Sequence, residues 1–368
     1  RLEVLRGSAS MLFGRGSTGG AVNQVSKVPR LIDEQQVDFT IGSHNYKRTL
    51  GDFNLQTSDS SAIRMNVMHN TADNNGAGSS IDKKGSAIAY RWGIGEKDEF
   101  QVSHFYLDNN NGINYGMPWV RTAPVNGAPY TTLNLDPTTY LGATSDYNKN
   151  TANMFTLSHQ HRINDVSNLK SQIRHGKFTR DVRASAIRIC EQTLKSTVSN
   201  GVRTYGNAYN NYQQCPSEFS TYAGNISPDT KITLDGKNRN QEVEATYAQS
   251  DFSTKFIAFG KKHDLLTGID IAKEKKDTFT VGSLASDKNK TAGGTSSQIN
   301  TNTTRTYISN LGNTSGYGWW DESARSLTSS GQYESTGLGI FAQDTISLTE
   351  YWKIIGGLRY DYLDGDYR

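Results

Sequence analysis

The first thirty residues, RLEVLRGSASMLFGRGSTGGAVNQVSKVPR (1–30), place two glycine clusters between two short strand-like runs. A phosphate-binding loop needs Gly-Lys-Ser/Thr after a four-residue gap. Gly14 and Gly19 have that gap, but Gly20 and Ala21 stand where the Lys and the hydroxyl residue are required. The run that follows is rich in β-branched residues and ends at a proline, which disfavours the helix of a dinucleotide site. The stretch therefore predicts a tight turn between two short strands.

The composition of the whole chain favours a sheet protein whose two faces meet different solvents. Hydrophobic residues make up 35% of the 368 residues and the mean hydropathy is −0.64. Aromatic residues nevertheless reach 10%, which does not fit a disordered chain. No apolar run is long enough for a transmembrane helix, although a transmembrane β-barrel would escape that test. The 39 basic and 36 acidic residues are scattered, so we expect no nucleic-acid partner.

Both ends of the chain predict a fragment of a longer protein. The sequence starts on Arg1 without an initiator Met or a signal peptide, and it stops abruptly at Arg368. The two cysteines, Cys190 and Cys215, lie in a polar segment without a CxxC pattern or a nearby His, which argues against a metal site. An isolated pair in such a segment favours a disulfide in an oxidising compartment over two free thiols.

Alternating polarity predicts long strands from about residue 35 onward. In SAIRMNVMHN (61–70), Ile63 and Met65 share one face, and Arg64 and Asn66 share the other. The predicted strands run to about ten to fourteen residues, which exceeds the usual strand and suits a tilted crossing of a bilayer. Similar alternation, with interruptions, occurs in residues 240–249, 263–274 and 351–362.

The connections between these runs alternate between short and long. Outer-membrane barrels have short periplasmic turns and long extracellular loops, so the alternation predicts that architecture. A count gives about eleven strands, and barrels of this kind can exceed twenty. The predicted long connections lie near residues 73–84, 110–150, 181–239 and 278–333.

The opening stretch resembles the end of the plug domain of TonB-dependent siderophore receptors. That family pattern has the form VEVLRG…G-x-G-x-x-GG-x-VN-x-V-S/T-K-x-P, and the chain departs from it at Ser8 and Phe13, where Pro and Tyr are usual. The segments HDLLTGIDI (263–271) and IFAQDTISLTEYWKIIGGLRYDY (340–362) also resemble barrel strands of the family. The matching plug residues are Glu3, Val4, Leu5, Arg6, Gly7, Gly14, Gly16, Gly19, Gly20, Asn23, Val25, Ser26, Lys27 and Pro29.

The resemblance implies an all-β fold: a transmembrane antiparallel β-barrel of 22 strands with an internal plug. Residues 1–33 would be the C-terminal end of the plug domain, and residues 34–368 would be the N-terminal half of the barrel. The glycines of the opening stretch would then serve tight turns in a plug sheet that fits inside the lumen. The rest of the plug and the second half of the barrel would be missing.

The resemblance also implies a function. Members of the family import ferric siderophores across the bacterial outer membrane, energised by the TonB-ExbB-ExbD complex acting on the plug. The GRGSTGG and NQVSK segments look most like the catecholate-siderophore branch. We therefore expect an importer, not an enzyme, that works as a monomer among outer-membrane lipids. No cofactor is expected, because the siderophore itself carries the iron.

Candidate ligand-binding residues combine aromatic rings with arginines, which suit a planar aromatic anion. In family terms, Phe13 and Arg15 lie near the extracellular apex of the plug. The others lie in two predicted loops, where aromatic residues could instead pack the loops together or form the membrane belt. The loop candidates are Tyr115, Trp119, Arg121, Tyr130, Trp319 and Trp320.

Two other classes of function remain open. A same-fold importer could carry another scarce cargo, such as a cobalamin, a thiamine or an oligosaccharide. A soluble enzyme or adhesin on a β scaffold would need a polar constellation, and the nearest candidates are His159 and His161. We expect these two to face the lumen or packing neighbours. The seven histidines are scattered along the sequence, which predicts no protein metal site.

Overall fold

In the computed structural model every described element is a β-strand. Within the described part of the chain, no helix has the length and apolarity needed to cross a membrane. The structure describes residues 2–6, 19–74, 78–117, 119–122, 129–136, 138–143, 145–189, 194–199, 202–207, 231–281, 305–310 and 325–368.

The strands are numbered in chain order. They are β1 (Leu2–Arg6), β2 (Gly20–Gln24), β3 (Glu34–Ile41), β4 (Lys47–Ser58), β5 (Ser61–Asn74), β6 (Ser79–Trp92), β7 (Asp98–Asn111), β8 (Trp119–Arg121), β9 (Tyr130–Thr132), β10 (Tyr147–Asn164), β11 (Ser167–Ile189), β12 (Leu194–Ser199), β13 (Val202–Asn207), β14 (Lys231–Ala258), β15 (Lys261–Val281), β16 (Arg305–Asn310), β17 (Leu327–Ser347) and β18 (Lys353–Tyr367).

The two predicted strands of the opening stretch are confirmed. β1 and β2 pair antiparallel in a separate two-stranded sheet, with Arg6 opposite Gly20. Gly20 has a φ of 138°, and a Cβ at this position would lie 2.4 Å from the carbonyl oxygen of Leu5. Only glycine fits so close a backbone approach at that conformation.

The main sheet is a single antiparallel path of eleven strands. Its order is β18-β17-β15-β14-β11-β10-β7-β6-β5-β4-β3, and β16 pairs with the first residues of β14. Consecutive strands of this path are joined as neighbours, which is the up-and-down arrangement of a barrel wall. Two small hairpins, β8–β9 and β12–β13, lie off the path.

Strands β4 to β7 have the ten to fourteen residues predicted, whereas six strands of the wall are longer. β11 has 23 residues and β14 has 28. The first residues of β14, KITLDGKNRN, include Asp235, Gly236 and Asn238, which favour a turn over a strand in the sequence. Backbone pairing with long neighbours extends these strands, because each added residue completes further ladder hydrogen bonds.

Short turns occupy one end of the wall. Two residues, 59–60, join β4 to β5, and two-residue turns also join β10 to β11 and β14 to β15. In the last of these, Phe259 and Gly260 have φ values of 51° and 68°, the pair of positive values that a tight type I′ hairpin needs.

The other end carries the longer connections, and their bounds differ from those expected. β5 ends at Asn74 and β6 begins at Ser79, so residues 73–84 are mostly strand and not a long loop. Asp73 pairs with Ser80 and Asn74 with Ser79 across this hairpin. The remaining long connections fall at 112–146, 190–230 and 282–326.

Candidate functional site

The segment that follows β2 lies against one face of the wall. We call residues 25–33 the strap. Arg64 on β5 donates from Nη1 to the carbonyl of Val28 at 3.1 Å, and Arg91 on β6 donates to the carbonyl of Pro29 at 3.3 Å. Proline has no N–H to offer and Pro29 is buried, so its carbonyl is the group that must be satisfied here.

Asn54 on β4 holds the next part of the strap through its amide. Its Oδ1 accepts from the backbone N–H of Arg30 at 2.9 Å, while its Nδ2 donates to the Arg30 carbonyl at 2.8 Å and to the carbonyl of Ile32. Asn54 is 1% exposed. The buried Asn54 amide therefore both accepts from and donates to the strap backbone, as a neighbouring β-strand would do.

An ion cluster beside the strap joins it to the wall by charge. Arg64 donates from Nε and Nη2 to the two carboxylate oxygens of Asp52 at 2.8 and 2.7 Å. Lys27 of the strap reaches the same carboxylate at 2.5 Å. The Arg64 and Asp52 side chains are only 10% and 13% exposed, so this two-point ion pair is largely withdrawn from water. Arg91 forms a similar pair with Glu99, with Nε 2.8 Å from the carboxylate.

The strap defines the two faces of the wall. Arg64 and Arg91 point to the strap, and alternate residues of a strand point to opposite faces. Their neighbours Ile63, Met65 and Tyr90 therefore lie on the other face, where Met65 and Tyr90 are exposed. The face that carries the strap is polar and the opposite face is apolar, as the alternation in SAIRMNVMHN predicted.

The connection between β7 and β10 presents aromatic side chains. Trp119 on β8 and Tyr130 on β9 are 69% and 58% exposed, and Tyr115 just before the hairpin is 58% exposed. Arg121 occupies the register position opposite Tyr130, and Trp119 is opposite Thr132. Cross-strand partners share a face, so Trp119 and Tyr130 lie diagonally on one face of this hairpin.

The base of the same connection is fixed by a buried carboxylate. Asp146 Oδ2 accepts from the N–H groups of Ala143 and Ser185 at 3.0 and 2.8 Å, and Oδ1 accepts from the Ser185 hydroxyl at 2.8 Å. Burial raises the pKa of Asp146 to about 6, against the lowering effect of these hydrogen bonds. Tyr140 donates to the Ala143 carbonyl at 2.8 Å, and burial raises the pKa of its hydroxyl.

Several predicted site residues lie outside the described residues. They are Phe13, Arg15, Trp319, Trp320, Cys190 and Cys215. The structure therefore brings together Trp119, Tyr130 and the backbone position of Arg121, with Tyr115 nearby in the chain. Nothing in the sequence alone indicated the strap contacts of Asp52, Asn54 and Arg64, because they depend on the strand register.

The structure decides between the two expected positions of His159 and His161, the lumen and packing neighbours, in favour of packing neighbours. Glu99 lies on the strap face, so the next residue, Phe100, lies on the opposite face. His159 is the register partner of Phe100 and stacks on its ring at 4.3 Å between centroids. Both histidines therefore face away from the strap, against neighbours and beside Asp98, and not into the lumen.

Comparison with known families places the wall among membrane proteins. The family model described as "TonB dependent receptor-like, beta-barrel" matches residues 90–368, more than half of the chain. The chain belongs to this family. It is an all-β part of a bacterial outer-membrane barrel, so the strap face is the lumenal face and the apolar face meets lipid.

Related receptors cover the whole chain. The "Catecholate siderophore receptor Fiu" of Escherichia coli O157:H7 is 24% identical over 376 residues, covering 100% of this chain and 43% of the relative. The "Ferrichrome outer membrane transporter/phage receptor" of Escherichia coli K12 is 26% identical over 287 residues, covering 75% of this chain and 35% of the relative.

A solved structure gives the same picture of the fold. The siderophore receptor PiuA of Acinetobacter baumannii superposes with a TM-score of 0.76 at 19% identity, covering 100% of this chain and 47% of PiuA. The chain thus spans less than half the length of the relatives that it matches.

Proposed function

We propose that the protein to which this chain belongs imports a ferric siderophore of the catecholate type across the outer membrane. Membership of the TonB-dependent receptor family supports energised import, with the TonB-ExbB-ExbD complex as the partner. The similarity to a catecholate receptor supports the cargo class. The iron would travel inside the siderophore, as cargo and not as a cofactor.

The observation that carries the proposal is the exposed aromatic hairpin. Trp119 and Tyr130 sit on one face of β8–β9, within a long connection at the loop end of the wall. Rings that are more than half exposed offer a stacking platform for catechol rings. A ferric tris-catecholate also carries negative charge, which an arginine can meet at a position such as Arg121. Tyr115 would extend the platform.

The remaining predicted ligand residues complete the proposal from the plug and from a second loop. Phe13 and Arg15 would meet the cargo from the plug apex, and Trp319 and Trp320 from the connection between β15 and β17. In the proposed monomer, residues 1–33 belong to the plug and residues 34–368 to the barrel. A Cys190–Cys215 disulfide would close the loop between β11 and β14.

Equilibrium binding with ⁵⁵Fe-labelled complexes tests this function in the full-length receptor purified in detergent. We expect ferric catecholate to bind at least about tenfold more tightly than ferric hydroxamate. Trp119→Ala and Tyr130→Ala should each weaken catecholate binding by about 5- to 150-fold, the cost of about 1–3 kcal/mol for losing a stacked ring. Direct counting of ⁵⁵Fe is preferable to fluorescence, since Trp119→Ala would also remove a reporter.

Trp352→Ala is the matched control. Trp352 is also a strongly exposed tryptophan, at 72%, but it lies in the short turn before β18 at the opposite end of the wall. Its loss should leave binding unchanged. Equal indifference of the receptor to both iron complexes would overturn the siderophore proposal and favour another scarce cargo, such as a cobalamin, thiamine or an oligosaccharide. Uptake that persists without TonB would overturn the energised mechanism.

A further inference from the structure

Three potential metal ligands converge on the lipid-facing side of the wall. Asp98 begins β7, and His159 and His161 lie near the end of β10. Asp98 Oδ1 is 2.9 Å from His159 Nε2 and 2.6 Å from His161 Nδ1. All three ligand atoms lie within 4.8 Å of one another, and the rest of the described chain holds no comparable group of histidine, cysteine and carboxylate side chains.

The strand geometry explains why these side chains meet. His159 and His161 are two residues apart on one strand, so they point to the same face. Asp98 is the register partner of His161, and Phe100 is the partner of His159. A row of rings continues on this face through Phe100, Trp92 and Tyr90, with centroids 5.3 and 5.6 Å apart. The stacked Phe100 ring fixes the plane of the His159 imidazole.

The group lies at the end of the wall where the short turns are. The β6–β7 turn comes directly before Asp98, and the β10–β11 turn follows three residues after His161. The Arg162 N–H donates to the Lys97 carbonyl at 2.7 Å, which ties the two strand ends together beside the group. The three side chains remain 30% to 45% exposed, so an ion can reach them.

The donor set is typical of a borderline divalent transition ion. Two imidazole nitrogens and one carboxylate oxygen are the ligands used by zinc, nickel and copper in proteins. Metal–ligand distances of about 2.0–2.1 Å imply ligand atoms about 3 Å apart in tetrahedral or square arrangements. The two separations from Asp98 Oδ1, 2.9 and 2.6 Å, are close to that value, and the two imidazole nitrogens lie within 4.8 Å of each other, so small rotations of the three side chains can hold an ion. A fourth position would stay open toward the membrane surface.

A second His–Asp pair shows what the group has beyond an ordinary hydrogen bond. The Nδ1 atom of His263 on β15 lies 2.6 Å from the Oδ2 atom of Asp344 on β17. The His263 ring stacks on Phe256, with 5.0 Å between ring centroids. This pair lies on the same face and at the same end of the wall as the first group. Each group has a histidine stacked on a phenylalanine, Phe100 in the first and Phe256 in the second. It lacks only the second histidine, and one His with one Asp is too few ligands for tight binding.

We propose that Asp98, His159 and His161 bind one borderline divalent transition cation, which links β7 to β10 on the lipid-facing surface. The proposal rests on these side chains alone and is independent of the cargo. The ion replaces the two imidazole–carboxylate hydrogen bonds by metal–ligand bonds and fixes the ends of two neighbouring strands.

Zinc titration by calorimetry tests the site on the full-length receptor in detergent after removal of metals with EDTA. We expect about one equivalent of Zn²⁺ to bind, and Zn²⁺ to raise the thermal midpoint through linkage. His161→Ala and Asp98→Asn should each weaken zinc binding at least tenfold and abolish the thermal shift. His263→Ala is the matched control and should change neither.

Two outcomes overturn the proposal. One is equal zinc binding by the wild type and the His159→Ala/His161→Ala double variant. The other is an equal loss in the His263→Ala control. Electron paramagnetic resonance of Cu²⁺ bound to the unaltered receptor gives a test that needs no variant. It should show coupling to two imidazole nitrogens, and coupling to one or none contradicts the site.

Discussion

Two aspartates of the described chain are held by different kinds of donor. Asp52, beside the strap, has cationic partners on both sides, Arg64 and Lys27. Asp146, at the base of the β7–β10 connection, accepts hydrogen bonds from the neutral N–H and O–H groups of Ala143 and Ser185. Both carboxylates are withdrawn from water.

The difference decides what each carboxylate does. Two cations neutralise Asp52, so the strap is fixed by a charge network whose loss leaves an uncompensated buried charge. Neutral donors satisfy the lone pairs of Asp146, and burial outweighs both these hydrogen bonds and the positive charge of Arg183, so its pKa is raised to about 6. The contacts that hold the strap should therefore not change in mild acid. The stability of the base of the β7–β10 connection should change with pH in that range.

Arg64→Met should have the largest effect on stability. It leaves Asp52 with Lys27 alone and removes the donor to the Val28 carbonyl, so we expect a loss of about 3–5 kcal/mol. Denaturant unfolding of the refolded receptor measures it. The Asp52→Asn/Arg64→Met double variant should recover part of the loss, because no unpaired carboxylate remains. A single-variant loss under about 1 kcal/mol would contradict the role of the ion pair.

Asp146→Asn should remove a pH-dependent contribution of up to about 3 kcal/mol. The folded pKa is raised from 3.8 to about 6, so the folded state binds more protons between these values. Stability from this group is therefore complete below about pH 4 and falls as the pH rises through 6. The asparagine can imitate the protonated acid, with its amide donating to the Ser185 hydroxyl.

Calorimetric unfolding of the wild type and the Asp146→Asn variant between pH 4 and pH 7.5 checks this sign. The variant should gain stability relative to the wild type as the pH rises, since the other titrating groups cancel in the difference. A constant difference across the range would show that Asp146 does not titrate there.

Asn54→Ala should lower the free energy of unfolding by about 1–3 kcal/mol, because it leaves buried backbone groups of Arg30 and Ile32 without hydrogen-bond partners. Hydrogen exchange of the Arg30 amide should accelerate. Asn23→Ala deletes the same side chain at an exposed hydrogen bond to Glu3 and serves as the control, with an effect of about 0.5 kcal/mol or less. Similar losses in the two variants would show that burial of Asn54 is unimportant.

Lys177→Met should have the smallest effect. Lys177 bridges Glu242 and Glu244 from the next strand, but all three side chains are substantially exposed. Exposed ion pairs contribute about 0–1 kcal/mol and weaken with salt. Denaturant unfolding in low and high salt measures the change in the free energy of unfolding. A salt-independent loss above about 2 kcal/mol would show that this exposed cluster contributes as much as a buried ion pair such as Asp52–Arg64.

Local patterns in the sequence were enough to predict the class of fold. The alternation of Ile63 and Met65 with Arg64 predicted a wall with one apolar and one polar face, and the glycine-rich opening predicted the β1–β2 pair. The expected loop at 73–84 was wrong because composition cannot distinguish a hairpin tip from a longer loop. The full length of β14 was missed because Asp235, Gly236 and Asn238 near its start favour a turn.

Partners distant in the sequence could not be predicted. Asp98 meets His161 across 63 positions, and Asn54 meets Arg30 across 24. Such contacts depend on the strand register, and a shift by one residue would move each side chain to the other face. The exposed aromatics Trp119 and Tyr130 were found from composition, but their place on one hairpin came from the pairing of β8 with β9.

The 28 residues of β14 set the height of the wall. At about 3.3 Å per residue the strand is about 90 Å long, and a tilt of about 45° leaves a height of about 65 Å. The apolar band of an outer-membrane barrel is only about 25 Å tall. More than half of this strand therefore stands in water, and the loops at its upper end meet the surroundings tens of ångströms above the bilayer surface.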